Sequence, residues 1–367
     1  MPHAHWLLRN NMMLVITISS SGALSDAFDA DLVPDHGGHK QLALQGAAGQ
    51  SAAIGGAAHL VNFSSTDNIA GVCLVKEFYG HPMAGFSYPS TEHSAQEEVL
   101  DTQGRSVGES SEGITQPGRE ASEATESTMT PWNEVGEAAA CRNALQTFPS
   151  GPASVVSDSY NVFNCCEHTW GQRLRRHVIA RAEHHGGLLI IRIDSGDAPE
   201  VVVEVLETLA RCFPVFENKK GYRMLPDYLR LLHSDGVTLE MADAILANVK
   251  ANRWSAANVL LASDGTLLQR LDRNTLRFAL QCSAATICGE ERQVFQKPVT
   301  DITKKSKKGR LTLQRNCNEY STAEQGKGAA DEDYMMLVYE NGHLLIDHSL
   351  EDIRKRSDTV SVGVTKT

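Results

Sequence analysis

Leu188-Leu189-Ile190-Ile191-Arg192-Ile193-Asp194-Ser195-Gly196 is a short apolar run that stops abruptly at charged and small residues. The same ending recurs in Val155-Val156-Ser157-Asp158, in Leu231-Leu232-His233-Ser234-Asp235-Gly236 and in Val259-Leu260-Leu261-Ala262-Ser263-Asp264-Gly265. Runs this short and this apolar read as strands buried on both faces, the pattern of a parallel sheet. Amphipathic helical sequence follows at least the first three. Each strand therefore ends at an Asp, beside Ser or Gly, where a β/α barrel gathers its functional groups. Carboxylates and small residues collected there suit a multiply hydroxylated phosphate ester carrying Mg²⁺.

Working outward, Ala198 to Cys212 predicts a strongly amphipathic helix with Val202, Val205, Leu206 and Leu209 inward, and Met241 to Lys250 predicts another. Asn161 to Ala182 reads as helical, with His184 and His185 as favourable cations at its end before Gly186. Ala57 to Phe63 reads as a strand, followed by a helix over Ile69 to Tyr79 capped from Ser64-Ser65-Thr66-Asp67. Residues 1–50 have no sustained period and read as an atypical, poorly ordered N-terminus; Leu7 to Ile18 faintly resembles a targeting segment. The stretch 95–130 holds eight acidic residues against Arg105 and Arg119 and no aromatic, and reads as a disordered acidic insertion. The expected organisation is a barrel domain over 51–276, then its completion and a smaller β-rich α+β domain over 277–367. There Tyr339-Glu340-Asn341-Gly342 predicts a hairpin.

A net charge of −11 opposes nucleic acid or an anionic membrane as a partner, and no apolar stretch is long enough to span a bilayer. The eight cysteines form no CxxC pair, and reduced thiols in a cytoplasmic protein are the expectation. No zinc-ligand spacing occurs, and the glycines at 46, 49, 55 and 56 match no phosphate-loop spacing. Close packing is their simplest use. The basic run Lys304-Lys305-Ser306-Lys307-Lys308-Gly309-Arg310 is either a solvated loop or one that reaches phosphate.

From Ser51 onward the chain resembles nicotinamide phosphoribosyltransferase. The resemblance is carried by Ser51 to Phe63, Glu92-His93-Ser94, Ser154 to Tyr160, Ile190 to Gly196, Glu217-Asn218-Lys219-Lys220-Gly221-Tyr222 and Ser306 to Arg310. It implies an incomplete TIM-like β/α barrel of type II phosphoribosyltransferase architecture. The implied activity makes nicotinamide mononucleotide and pyrophosphate from nicotinamide and 5-phosphoribosyl 1-pyrophosphate, for NAD salvage. The implied assembly is a homodimer. Asp67 stands where the family contacts the carboxamide, and His93 matches the histidine that ATP phosphorylates and that assists pyrophosphate. Arg192, Ile193, Asp194 and Asp158 match the residues around ribose, pyrophosphate and pyridine. Ser234 and Asp235 fall at the product-binding strand end, and Gly265 and Arg273 where the 5′-phosphate is held. Mg²⁺ is expected to be held mainly through the substrate. Ser234 and Asp264 stand where the family has Gly, Gln281 where it has Lys, and Gln41 and Leu44 where it has Phe and Arg. The second reading is accordingly a catalytically impaired homologue that binds nucleotide or associates with other subunits.

Overall fold

The computed structural model describes residues 39–41, 49–61, 63–91, 134–263, 282–287, 289–316, 319–325 and 333–361. Two compact units divide at Lys307 and Lys308.

The first unit is built on a parallel sheet. Its strands are β1 (His39–Gln41), β2 (Pro152–Val156), β3 (Leu188–Ile193), β6 (Leu229–His233) and β7 (Val259–Ser263). The spatial order is β1-β7-β6-β3-β2, and every pairing is parallel. β2, β3, β6 and β7 thus lie side by side in chain order. This is how successive βα units build a barrel wall, whereas a doubly wound sheet reverses direction at a switch point. Ser90 bridges Ser154 in parallel and continues the sheet beyond β2.

Strand alternation sorts the side chains. Leu189, Ile191, Ile193, Leu229, Leu231, Val259 and Leu261 join the large core with the helices. Ile190, Leu232 and Ala262 face the other way, where Tyr88, Leu188 and Leu260 pack on them. Both faces are buried, which is why these strands read as unbroken apolar runs.

The helices of this unit are α1 (Gly49–His59), α2 (Ile69–Tyr79), α3 (Glu134–Thr147), the short turn α4 (Val162–Asn164), α5 (Arg175–His185), α6 (Ala198–Cys212) and α7 (Leu239–Ala251). In α6 the buried stripe of Val202, Val205, Leu206 and Leu209 is the one the periodicity predicts. The helix predicted from Asn161 is interrupted: Cys165–Arg173 is a π-helix, in which Leu174 N–H donates to Thr169 O. This wider turn seats buried Trp170 so that its indole N–H reaches Ser157 Oγ at 3.0 Å, behind the end of β2. α5 ends as expected on His184-His185, with Gly186 left-handed at φ 61°.

Three expectations are corrected. Ala57 to Phe63 is not a strand; Gly49–His59 is helical. Its small residues serve contact between helices, because a Cβ on Gly71 of α2 would lie 2.7 Å from Gly56 Cα. A run of Ala and Gly has no apolar periodicity to betray such a helix. The cap of α2 is Asn68, whose side chain accepts from Gly71 N–H at 3.0 Å, so Asp67 is left for other work. Within the stretch expected to lack regular structure, residues 39–41 form an edge strand on β7. The acidic stretch 95–130 lies outside the described residues.

Short antiparallel pairs complete the first unit: β4 (Phe216–Glu217) with β5 (Arg223–Met224), and β8 (Ala284–Ile287) with β9 (Glu290–Gln293). The second unit holds β10 (Leu311–Asn316) paired with β11 (Glu319–Glu324), and β12 (Tyr339–Glu340) paired with β13 (His343–Leu344). It ends in α8 (Leu350–Ser361). The β12–β13 turn is the predicted one, with Asn341 at φ 48° and Gly342 at φ 88°, the backbone a tight hairpin requires. The architecture is α/β, with a parallel sheet and small antiparallel sheets. Among the described residues no helix is long and apolar enough to cross a membrane.

Candidate active site

The carboxyl ends of β2, β3 and β6 meet around Arg192. Alternation turns this side chain away from the helices, onto the face of Ile190 and Leu232, and leaves it only 4% exposed. A buried guanidinium must be satisfied on several sides. Its Nε donates to Ser234 Oγ at 2.8 Å, and its Nη2 lies 3.6 Å from Asp194 Oδ2. Nη1 makes longer contacts, 3.4 Å each, to Ser90 Oγ and Thr91 O. Ser234 Oγ lies 2.9 Å from Asp194 Oδ1.

Asp158, fully buried at the end of β2, ties this strand to the next. Its Oδ2 accepts from Asp194 N–H at 2.8 Å and from Ser195 Oγ at 2.5 Å. Ser195 also meets Thr300 Oγ1. Thr300 belongs to a stretch that runs beside β2's end, where Lys297 N–H donates to Ser159 O and Val299 N–H to Tyr160 O. Gly196 makes this approach possible. Its φ of 95° is left-handed, and a Cβ there would come 2.9 Å from Thr300. A few residues on, Lys304 Nζ pairs with Asp235 Oδ2 at 2.8 Å and donates to Asp194 O. One member of the predicted basic run thus engages a strand-end carboxylate.

Asp67 and Arg192 both lie within electrostatic reach of Tyr88. Ser87 Oγ donates to Asp67 Oδ1. Tyr88 packs on Ile190, Leu232 and Ala262. Burial holds its phenol above the usual tyrosine range; the Asp67 charge adds to that, and the Arg192 charge opposes it. Tyr88 therefore feels both groups. Its own signal was slight, one aromatic in the Ser- and Pro-rich run Ser87 to Thr91, and neither it nor Thr300 stood out in the sequence.

Of the predicted site residues, Asp158, Arg192, Asp194, Ser234 and Asp235 come together at the strand ends, and Asp67 is hydrogen-bonded by Ser87, next to Tyr88. Ile193 does not join them: its side chain is fully buried in the helix-side core, and only its carbonyl meets the cluster, accepting from Ser234 N–H at 3.0 Å. Strand alternation makes that unavoidable for a residue between Arg192 and Asp194. His93, Gly265 and Arg273 lie outside the described residues. Among the described residues no group of three or more His, Cys, Asp or Glu is arranged to hold a metal ion.

Two buried histidines flank these elements. His59 Nε2 lies 2.9 Å from Ser65 O, two residues before Asp67. His233 precedes Ser234 and points to the helix side, with no hydrogen-bond partner for either ring nitrogen among the described residues. Burial pushes both from 6.5 to about 4, against the backbone hydrogen bond at His59 and the Asp194 charge near His233. Both are therefore neutral in the folded chain down to about pH 4, while unfolded imidazoles bind protons below about pH 6.5. The unfolded state binds more protons across that window, so this contribution is complete above it and is lost as pH falls. Each histidine should account for roughly 1.5 kcal/mol between pH 6.5 and about pH 5. Urea unfolding across that interval should show a drop of about 3 kcal/mol, and His233→Gln should remove half of the slope. An unchanged slope in the variant would contradict a buried neutral imidazole.

Comparison with known proteins completes the picture. The nicotinate phosphoribosyltransferase (NAPRTase) family matches residues 45–342. A nicotinamide phosphoribosyltransferase of Xanthomonas campestris pv. campestris is 36% identical over 316 residues, covering 84% of this chain and 59% of that protein. One from Acinetobacter baylyi is 25% identical over 328 residues, covering 83% of this chain and 57% of that protein. The chain thus spans a little under three-fifths of the length of these curated relatives. A crystal structure of nicotinate phosphoribosyltransferase from Porphyromonas gingivalis superposes with a TM-score of 0.40 at 10% identity, over 70% of this chain and 51% of that one. That likeness is too slight to add to the fold, which rests on the sheet itself. With a family match over most of its length, the chain belongs to the nicotinate phosphoribosyltransferase (NAPRTase) family.

Proposed function

We propose that this protein condenses nicotinamide with 5-phosphoribosyl 1-pyrophosphate to give nicotinamide mononucleotide and pyrophosphate, for NAD salvage. The observation that carries this reading is the buried Arg192 held among Asp158, Asp194 and Ser234 at the ends of three parallel strands. The reaction breaks an anomeric C–O bond through an oxocarbenium-like transition state. It needs a cation for departing pyrophosphate and carboxylates for the positive ribose, both fixed in advance. Arg192 supplies the first, and Asp158 and Asp194 the second. Asp67 accepts from the carboxamide NH₂ and disfavours a carboxylate in the same place, which favours nicotinamide over nicotinate.

Mg²⁺ enters this reading with the substrate. The carboxylates of Asp194 and Asp235 already meet Ser234, Arg192 and Lys304. They fit water in the ion's shell better than the bare ion. Bound to pyrophosphate, Mg²⁺ neutralises leaving-group charge. By resemblance, His93 takes a phosphoryl group from ATP and assists pyrophosphate, and Gly265 and Arg273 hold the 5′-phosphate. A homodimer also belongs to the proposal. Ile69, Met83 and Phe86, near Asp67 in sequence, are 77%, 62% and 58% exposed, an apolar surface that a second copy would cover. The thiols of Cys73, Cys165, Cys166, Cys212 and Cys282, in no disulfide, suit a cytoplasmic location.

The test is product formation by the purified chain with nicotinamide, 5-phosphoribosyl 1-pyrophosphate and Mg²⁺, with and without ATP. Nicotinamide mononucleotide detected by mass spectrometry, with ATP stimulation lost in His93→Ala, is the expected result. No product under either condition would overturn the proposal.

A further inference from the structure

We infer that Ser234 is a positioning residue that sets Arg192 and Asp194 relative to each other before any ligand arrives; the catalytic consequence rests on the transferase reading above. Arg192, on β3, and Asp194, one residue past its end, are two positions apart, so both point to the same side. A guanidinium and a carboxylate placed so close would by themselves collapse into a bidentate pair, with two parallel N–H···O bonds. They do not. Nη2 stands 3.6 Å from Oδ2, beyond hydrogen-bond length.

Ser234 occupies the space where the second bond would form. Its hydroxyl is 2% exposed and accepts from Arg192 Nε at 2.8 Å. Its one proton has two acceptors in reach, Asp194 Oδ1 at 2.9 Å and Ile193 O at 3.3 Å. The shorter contact is also the one to an ionised group and is the stronger. The hydroxyl thus works as a two-way spacer, accepting from the cation and donating to the anion. Its own place, just past β6, is fixed against β3, because Ser234 N–H donates to Ile193 O.

The consequence is chemical. A fully paired Arg192 would have its charge cancelled by Asp194 and would hold an incoming anion poorly. With Nε on Ser234 and Nη2 held 3.6 Å from Asp194, Arg192 keeps more attraction for phosphate oxygens than a bidentate pair would leave it. Asp194 likewise keeps negative charge for a sugar that becomes positive. Alanine or glycine at 234 removes the spacer and lets the pair close; threonine keeps the hydroxyl.

The experiment uses the full chain with Ser234→Ala, Ser234→Gly and Ser234→Thr. One readout needs no ligand: the ¹H–¹⁵N signal of Arg192 Nε, identified by its loss in Arg192→Lys. The second is inorganic pyrophosphate binding by calorimetry, and the third is kcat and KM for nicotinamide. In the alanine and glycine variants the Nε signal should shift, pyrophosphate affinity and kcat should each fall about tenfold, and KM should stay within about twofold. Threonine should restore all three, which a packing effect of side-chain volume would not. An unshifted signal, or unchanged pyrophosphate affinity beside a wild type that binds it, would overturn the inference. A wild type that binds no pyrophosphate, with the signal still moved by alanine and restored by threonine, would sink the transferase reading and uphold the spacer.

Discussion

Arg192→Met is expected to lower nicotinamide mononucleotide formation by about a hundred- to a thousandfold while the chain stays folded. Methionine fills a similar volume and lies comfortably beside Ile190 and Leu232, so packing on that face survives. What disappears is the cation among Asp158, Asp194 and the hydroxyl of Ser234. The cluster then loses its central cation, becomes one charge more negative, and holds pyrophosphate less well. Losing one preorganised charge-stabilising group costs about two to three orders of magnitude in other enzymes. Arg192→Lys should fall in between. An ammonium keeps the charge but cannot span from Ser234 to Asp194 and Thr91 as the planar fork does. Initial rates, with circular dichroism as a check on folding, decide the matter. Activity of Arg192→Met within about tenfold of wild type would remove Arg192 from the chemistry.

The strands that carry these groups were legible because burial on both faces leaves a strong mark. Leu188 to Ile193 is continuous apolar sequence, and its polar ending marked the site end of the sheet. α6 was legible for the opposite reason: its apolar residues keep to one stripe, so its periodicity survives in a polar background. The Asn341-Gly342 turn was legible because both residues adopt positive φ. Where the reading failed, local sequence held no signal to read. α1 packs by the absence of side chains at Gly56, which suits a strand or a helix equally well. The π-helix at 165–173 answers to the seating of Trp170 and Cys166, a tertiary demand. At the site, residue types could be listed but not joined. Lys304 meets Asp194 across 110 positions of chain, and Arg192 meets Ser90 across 102. Alternation, by contrast, was available in the sequence and excludes Ile193 from the face that holds Arg192 and Asp194.

Asp158 separates structural from electrostatic roles, because two substitutions there should have opposite signatures. Two hydrogen bonds converge on one oxygen, Oδ2, which accepts from Asp194 N–H and Ser195 Oγ. Asp158→Ala removes that acceptor from a fully buried position and strands a backbone N–H beneath the site. About 2–4 kcal/mol of stability should be lost, as expected for buried donors deprived of a charged acceptor. Asp158→Asn has the same shape, and its carbonyl oxygen can take the place of Oδ2 and receive both donors. It also relieves repulsion between two carboxylates on neighbouring strand ends. Its unfolding free energy should stay within about 1 kcal/mol of wild type. Activity should nevertheless fall by about a hundredfold, because a neutral amide does not stabilise a ribose that becomes positive. Urea denaturation and product formation, measured on the same preparations, distinguish the two roles. If the asparagine variant loses stability as the alanine variant does but keeps its activity, Asp158 is a brace between β2 and β3 and the positive charge on the sugar is met elsewhere.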